Sequence, residues 1–285
     1  MLSRGLSRKT IEGTTTALLH IILLFGAAVM VLPFVWMILT SFKPTDEVLS
    51  WPPKLFPHHW TLSNYIGVFQ RWPFGRFIMN SLVLSAVSTV SIIITSTLSG
   101  FVFSKYRFVG KEAIFFLLLA TVMVPFQVFM VPLYLSMAKA GLVDTYGGIV
   151  LPWLIMSFGI FFMRQNIASI PDELIDAARI DGCSEFGIFL NVIFPLSKSA
   201  MSALAIFAFM DAWGYFIWPL IITSTTEKFV LEVGLALFQH RFFIDYGSTT
   251  AGSTIAILPV IIVFMIFRRN IIEGVTLTGR IAMVD

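Results

Sequence analysis

Charge is what this sequence has least of. Asp, Glu, Lys and Arg make up 12% of its 285 residues, while 57% are apolar and 15% aromatic. Soluble domains carry about 25% charge. A soluble fold of this size has too little interior to hide so much apolar surface, and disorder requires low hydrophobicity. Cysteine is nearly missing as well: Cys183 stands alone, which excludes a disulfide framework and any multi-thiolate metal site. The composition points to a membrane protein, and the positions of the few charges test that reading.

The charges bound long empty windows. Residues 13–42, 77–104, 113–138, 145–163 and 246–267 hold none, and residues 199–226 hold only Asp211. A membrane-crossing helix needs about 20 mostly apolar residues, so each window fits one crossing. We read an all-α integral membrane protein with six transmembrane helices at about 17–40, 80–104, 113–136, 147–164, 198–222 and 249–267. Barrel strands would instead be alternating segments of about 10 residues. The first window is too long for a cleaved signal, whose apolar core runs about 7–15 residues. It reads as an uncleaved anchor preceded by Arg4, Arg8 and Lys9.

Lys and Arg set orientation. With the N-terminus inside, the inner segments are 1–16, 105–112, 165–197 and the tail 268–285. With Arg164 and Lys198 at the membrane edge they hold 12 Lys and Arg, against 7 in the outer loops at about 42–79, 137–146 and 223–248. Both termini are expected in the cytoplasm, and residues 17–267 form one transmembrane domain. The net charge of +3 reports this bias and not nucleic-acid binding, since no basic stripe with interleaved aromatics occurs.

The first outer loop carries Pro44, Pro52, Pro53, Pro57 and Pro73 with Trp51, Trp60 and Trp72. Its aromatics suit either interfacial anchoring or docking of a soluble partner. The third outer loop contains the pair Phe242–Phe243 and is read as able to dip toward the bilayer. The inner loop 165–197 departs from a linker, for it holds five of the 16 acidic residues. Ser169 followed by Asp172, with Pro171 in the first turn, resembles a capping box. Leu174, Ile175, Ala177 and Ala178 give a short apolar ridge, Gly182 closes the helix, and Ser184 opens a second one from Glu185 to about Ile193, stopped by Pro195. Helices that lie on bilayers have basic polar faces. This face is acidic, with Asp172, Glu173, Asp176 and Asp181 against Arg179, so a protein groove is the expected partner.

Asp211 is the one acidic or basic group near the middle of a span, where it should face protein or water. Solute binding and interhelical hydrogen bonding both suit it. Trp213, Tyr215, Phe216 and Trp218 follow on the same predicted helix, with Asp211, Tyr215 and Trp218 roughly aligned. Aromatic faces beside a carboxylate suit sugars, and packing suits the aromatics equally. Pro125 and Pro132 fall inside the third span and can kink it. His20 reads as structural, and the adjacent pair His58–His59 is weak evidence for a metal. No H-E-x-x-H, G-x-S-x-G or paired intramembrane acids support an enzyme, and one carboxylate is thin support for an ion-coupled secondary carrier.

The stretch Asp176-Ala177-Ala178, then Gly182, Val192, Phe194 and Pro195, resembles the EAA loop of binding-protein-dependent ABC importer permeases, E-A-A, three residues, G, nine residues, I-x-L-P. Ile170-Pro171 and Ala177-Ala178-Arg179-Ile180-Asp181-Gly182 are similar to the MalG-like carbohydrate subgroup. So are Ser41-Phe42-Lys43, Asn64-Tyr65, Asn80-Ser81, Pro125, Pro132, Leu151-Pro152, Trp213 with Phe216-Ile217-Trp218-Pro219-Leu220, and the tail Gly274–Gly279. The departures are Asp for Glu at 176, Gly214 and Tyr215 for an Asn and an acid, and Ile281-Ala282 for Lys-Gly.

The resemblance implies a type I ABC importer permease fold in the inner membrane of a bacterium or archaeon. It implies a non-catalytic subunit that forms half of a path for a sugar or oligosaccharide; glycerol phosphate or another polyol is the alternative. The implied partners are a second homologous permease, two ATPase subunits and an external solute-binding protein. Asp172, Glu173, Asp176, Ala177, Ala178, Arg179, Asp181 and Gly182 would form the coupling helix and its turn, with Asp176 meeting a basic residue of the ATPase. Asp211, Trp213, Tyr215 and Trp218 would face the solute path. The only Gly-Lys, Gly110-Lys111, lacks the upstream glycine of a phosphate-cradling loop, so ATP and Mg are expected on the partner ATPases, with no cofactor on this chain.

Overall fold

The computed structural model describes residues 3–240 and 243–281, with side chains for 15–239 and 244–267. Phe242 and the side chains of Phe243, of the basic residues before residue 15 and after 267, and of the Gly274–Gly279 tail motif lie outside the described set. Thirteen helices are named here in chain order. They are α1 Ser3–Ser41, α2 Ser63–Arg71, α3 Phe74–Lys105, α4 Lys111–Val122, α5 Phe126–Lys139, α6 Tyr146–Val150, α7 Ser157–Ala168, α8 Asp172–Ile180, α9 Glu185–Leu196, α10 Lys198–Trp213, α11 Ile217–Ile222, α12 Leu231–Ala236 and α13 Tyr246–Ile281. A short antiparallel ladder pairs β1, Gln239–His240, with β2, Phe243–Ile244.

Among the described residues three helices have an unbroken stretch long and apolar enough to cross a membrane: Thr15–Ser41 in α1, the whole of α3, and Tyr246–Phe267 in α13. The other three expected crossings are bent pairs. The span expected at 113–136 is α4 and α5 meeting at 99°. Pro125 sits between them in an extended conformation (ψ 139°), and it offers no N–H to continue the α4 ladder. Pro132, by contrast, lies inside α5. The span expected at 147–164 is α6, with a 3-10 turn at Leu151–Trp153, followed by α7 at 41°. The span expected at 198–222 divides at Gly214–Phe216 into α10 and α11. α10 is also the second half of a pair bent by 78° with α9.

Chain contacts divide the molecule into two units. The first, residues 1–71 with 238–255, contains much of the expected first outer loop, and that loop is folded. Buried Asn64 donates to the carbonyls of Ser41 (2.9 Å) and Lys43 (2.8 Å), and the Ser41 and Tyr65 hydroxyls are 2.7 Å apart. The Ser41-Phe42-Lys43 and Asn64-Tyr65 motifs are thus one knot. Nearby, Glu47 accepts from the His58 N–H at 2.7 Å, which holds its carboxyl below the usual range.

In the second unit, residues 72–237 with 256–285, α3 is the post around which α7 and α10 pack. The crossing of α3 and α7 is tight at Gly100. A β-carbon there would stand 2.8 Å from the Arg164 nitrogen and the Met163 backbone, so only glycine fits. Ile92, Phe101, Met163, Ile167, Ile188, Ile193 and Leu204 fill the adjoining core. Removing such side chains from water stabilises soluble domains, whereas in a bilayer the gain comes from packing and hydrogen bonds.

Candidate functional site

The acidic loop folds as two short helices with a glycine between them. Ser169 does not cap α8, contrary to the capping-box reading: its hydroxyl donates back to the Asn166 carbonyl at 2.7 Å and closes α7. Pro171 precedes α8 instead, and the Asp172 carboxylate goes to the Lys105 ammonium at 2.6 Å. Lys105 also donates to the Ile170 carbonyl, and its side chain is 7% exposed. That bond and charge hold the Asp172 carboxyl below its ordinary range.

α8 ends in a Schellman turn. The Cys183 N–H donates to the Ala178 carbonyl and the Gly182 N–H to the Arg179 carbonyl, both at 3.0 Å, with Gly182 at φ +83°. Cys183 packs against the same core as Ala178. Ser184 then caps α9 by accepting from the Gly187 N–H. Pro195 does not stop this second helix. The turn widens to π over Phe189–Ile193 and the helix runs on to Leu196, so the missing proline N–H is accommodated.

The apolar ridge of α8 is divided. Ile175 and Ala178 are buried against the chain's own core, while Leu174, Ala177 and Ile180 are exposed, Ile180 at 87%. Asp172, Glu173, Asp176 and Asp181 are exposed beside them. Asp176 has a partner within its own helix, Arg179 at 3.2 Å, and Arg179 in turn forks onto Glu185 at 3.0 and 3.3 Å. Tyr106 donates to the same Glu185. Bonding to Glu185 raises the Arg179 pKa, and the bonds from Arg179 and Tyr106 lower that of Glu185. Burial, with the Glu185 charge, pushes the Tyr106 hydroxyl up to about 12. Lys105 and Tyr106 therefore tie the loop to the end of α3. Neither was singled out in the sequence, where they sit 67 and 79 residues from their carboxylate partners.

The expected aromatic track resolves into two groups. Trp213 is buried, stacks on Phe209 and donates to the Ala256 carbonyl at 3.1 Å. Trp218 is buried on α11 and donates to the Gly148 carbonyl at 3.0 Å. The break at Gly214–Phe216 puts Trp218 on a separate helix from Asp211, and both tryptophans are buried with their indole N–H groups bonded to backbone carbonyls. Asp211 and Tyr215 stay together: the phenol donates to the carboxylate at 2.8 Å. They line a cavity of about 570 Å³ with Trp153, Phe129, Ser157 and Thr121.

These features coincide with one family pattern. Residues 88–276 match the binding-protein-dependent transport system inner membrane component. The chain belongs to this family. It is a multi-pass, membrane-embedded permease subunit of the ABC-importer class. Among its relatives, an arabinooligosaccharides transport system permease protein of Halalkalibacterium halodurans is 36% identical over 90% of this chain and 92% of its own length. A diacetylchitobiose uptake system permease protein of Streptomyces coelicolor is 29% identical over 91% of this chain and 87% of its own. The crystal structure of a bacterial ABC transporter involved in the import of the acidic polysaccharide alginate contains a chain with TM-score 0.79, 23% identity and coverage of 91% and 96%. That likeness establishes the fold.

Proposed function

We propose that this permease forms half of the translocation path of an ATP-driven importer for a sugar or oligosaccharide, delivered by an external binding protein. ATP hydrolysis resides in separate ATPase chains, which receive α8. The observation that carries the reading is the acidic α8 with its exposed Leu174, Ala177 and Ile180, closed by a glycine turn and braced on α3 by Lys105 and Tyr106. Such a stub, apolar at its centre and acidic around it, suits a protein groove better than an anionic bilayer. The names borne by the relatives from Halalkalibacterium and Streptomyces support a carbohydrate solute. A second permease would supply the other half of the path. Both termini face the cytoplasm on the Lys and Arg bias.

Within this reading, Asp172, Glu173, Asp176, Ala177, Arg179, Asp181 and Gly182 make the coupling surface and turn, and Ala178 seats α8 on the core. Asp211 and Tyr215 face the solute. ATP-driven uptake by the reconstituted importer tests the assignment. Gly182→Pro cannot adopt φ +83°, and Asp176→Lys reverses the charge of the docking face. Both variants should insert normally and lose uptake at least about tenfold, the usual scale for one lost charged contact. Normal uptake in both, at matched protein levels, would refute the coupling role of α8.

A further inference from the structure

The cavity between α4, α5, the turn at Leu151–Trp153, α7 and α10 has a one-sided charge. Its volume, about 570 Å³, lies in the range of small-molecule sites. Among the described residues Asp211 is the only carboxylate or base in its lining, and no Lys, Arg or His contributes. Tyr215 donates to Asp211 Oδ2, which leaves Oδ1 as an acceptor. The Tyr215 ring lies 4.8 Å from Trp153, tilted by 47°, and Trp153 also meets Phe126 at 5.4 Å. The Trp153 indole N–H makes no hydrogen bond among the described residues. In the same lining, the hydroxyls of Ser157 and Thr121 are 3.0 Å apart; because Thr121 donates to the Leu118 carbonyl, Ser157 is the donor between them.

We infer that this cavity is a solute subsite within this chain that selects uncharged sugars and rejects uronates. The proposal rests on the reading of the chain as a carbohydrate permease and deepens it. A pyranose has apolar C–H faces and a rim of hydroxyls. Trp153, braced by Tyr215 and Phe126, offers the aromatic wall for one such face. Asp211 accepts a hydroxyl at the rim, a charge-assisted bond stronger than a neutral one. A C6 carboxylate on the same sugar would meet the Asp211 charge with no cation from this chain's lining to offset it. Like charges this close repel, and stripping water from a second anion as it enters adds to the cost. The selection therefore comes from the charge of the wall, with shape in a supporting role.

The test uses the whole importer, with its own permease and ATPase partners, in lipid nanodiscs without binding protein. Saturation-transfer NMR is recorded with cellobiose, maltose, xylobiose and diacetylchitobiose, and with cellobiose and maltose oxidised at C6 to the uronate. The wild type should bind at least one neutral disaccharide and bind its uronate at least about tenfold more weakly. Asp211→Asn should shrink that preference, and Asp211→Lys should reverse it. Trp153→Ala should weaken neutral binding at least about tenfold while Trp153→Phe, which keeps a ring against Tyr215, retains most of it. Equal binding of sugar and uronate to the wild type would overturn the proposal. So would a preference untouched by both Asp211 variants, or the absence of binding by any neutral probe. ATP-driven uptake with the binding protein separates the two levels. Uptake of a neutral sugar that all four variants leave intact rejects the subsite and keeps the permease reading, whereas failure of ATP-driven uptake for every sugar rejects the reading itself.

Discussion

Gly182 shows how one residue sets the geometry of the element proposed to couple to the ATPase. Its φ of +83° places the next N–H on the Ala178 carbonyl, which turns the chain from α8 into α9. An L-residue there costs about 1 kcal/mol of backbone strain. Gly182→Ala should thus lower uptake less than Gly182→Pro while leaving membrane insertion unchanged, read by uptake at matched expression. Two bonds brace the turn, and their pH dependence has a definite sign. The carboxyls of Asp172 and Glu185 are both held below their ordinary values, by Lys105 and by Arg179 with Tyr106. Their contribution to the folded loop is complete above the ordinary carboxylate range. It is lost as pH falls through the depressed values. Tyr106, pushed up to about 12, remains a donor over that whole range. Hydrogen exchange of the 182–190 amides in the assembled importer should accelerate only as pH drops below about 4, after correction for intrinsic rates. Tyr106→Phe should move that onset upward, because Glu185 loses a donor.

Elements owe their arrangement to small residues and to breaks. The α3–α7 crossing admits no β-carbon at Gly100, and at Gly159 one would fall 2.4 Å from Ser96 Oγ. Ser96 can rotate, whereas the backbone of Met163 and Arg164 cannot retreat without moving α7. Gly100→Leu should accordingly destabilise the subunit by about 1–3 kcal/mol, the scale of overpacking, and more than Gly159→Ala. Thermal unfolding in detergent, followed by tryptophan fluorescence, checks the order. The breaks were only partly legible in the sequence. Pro125 announced one bend, and the 99° angle follows from its extended backbone. Gly214–Phe216 and the π turn before Pro195 carry no comparable signal, since an apolar run looks alike whether straight or broken. The capping-box reading of Ser169 failed for a related reason: Asp172 had a stronger partner, Lys105, supplied by another helix.

For the whole molecule, the distribution of Lys and Arg makes a claim about sides of the membrane. The lone thiol tests it. Cys183 is partly exposed, directly after the α8 turn. A membrane-impermeant maleimide should label it in inside-out vesicles and not in intact cells or spheroplasts, and labelling should slow when the ATPase subunits are bound. The reverse pattern would invert the assigned orientation. Labelling at equal rates with and without ATPase would remove the loop from the docking interface.

The sequence by itself determined membrane residence, the apolar windows and the acidic loop with its glycine turn. Each follows from short-range facts: where charge is missing, and which residue a left-handed turn accepts. The tertiary structure decided which aromatics line the cavity and which are bonded away from it. Trp213 and Trp218 give their N–H groups to the Ala256 and Gly148 carbonyls, while Trp153, far away in sequence, comes to lie beside Tyr215. It also decided which bases brace the loop, placing Lys105 and Tyr106 of the α3 end against Asp172 and Glu185. Partners of this kind depend on which helices pack together, and in a chain where 57% of residues are apolar the periodicity of any one helix does not say which neighbour it will meet.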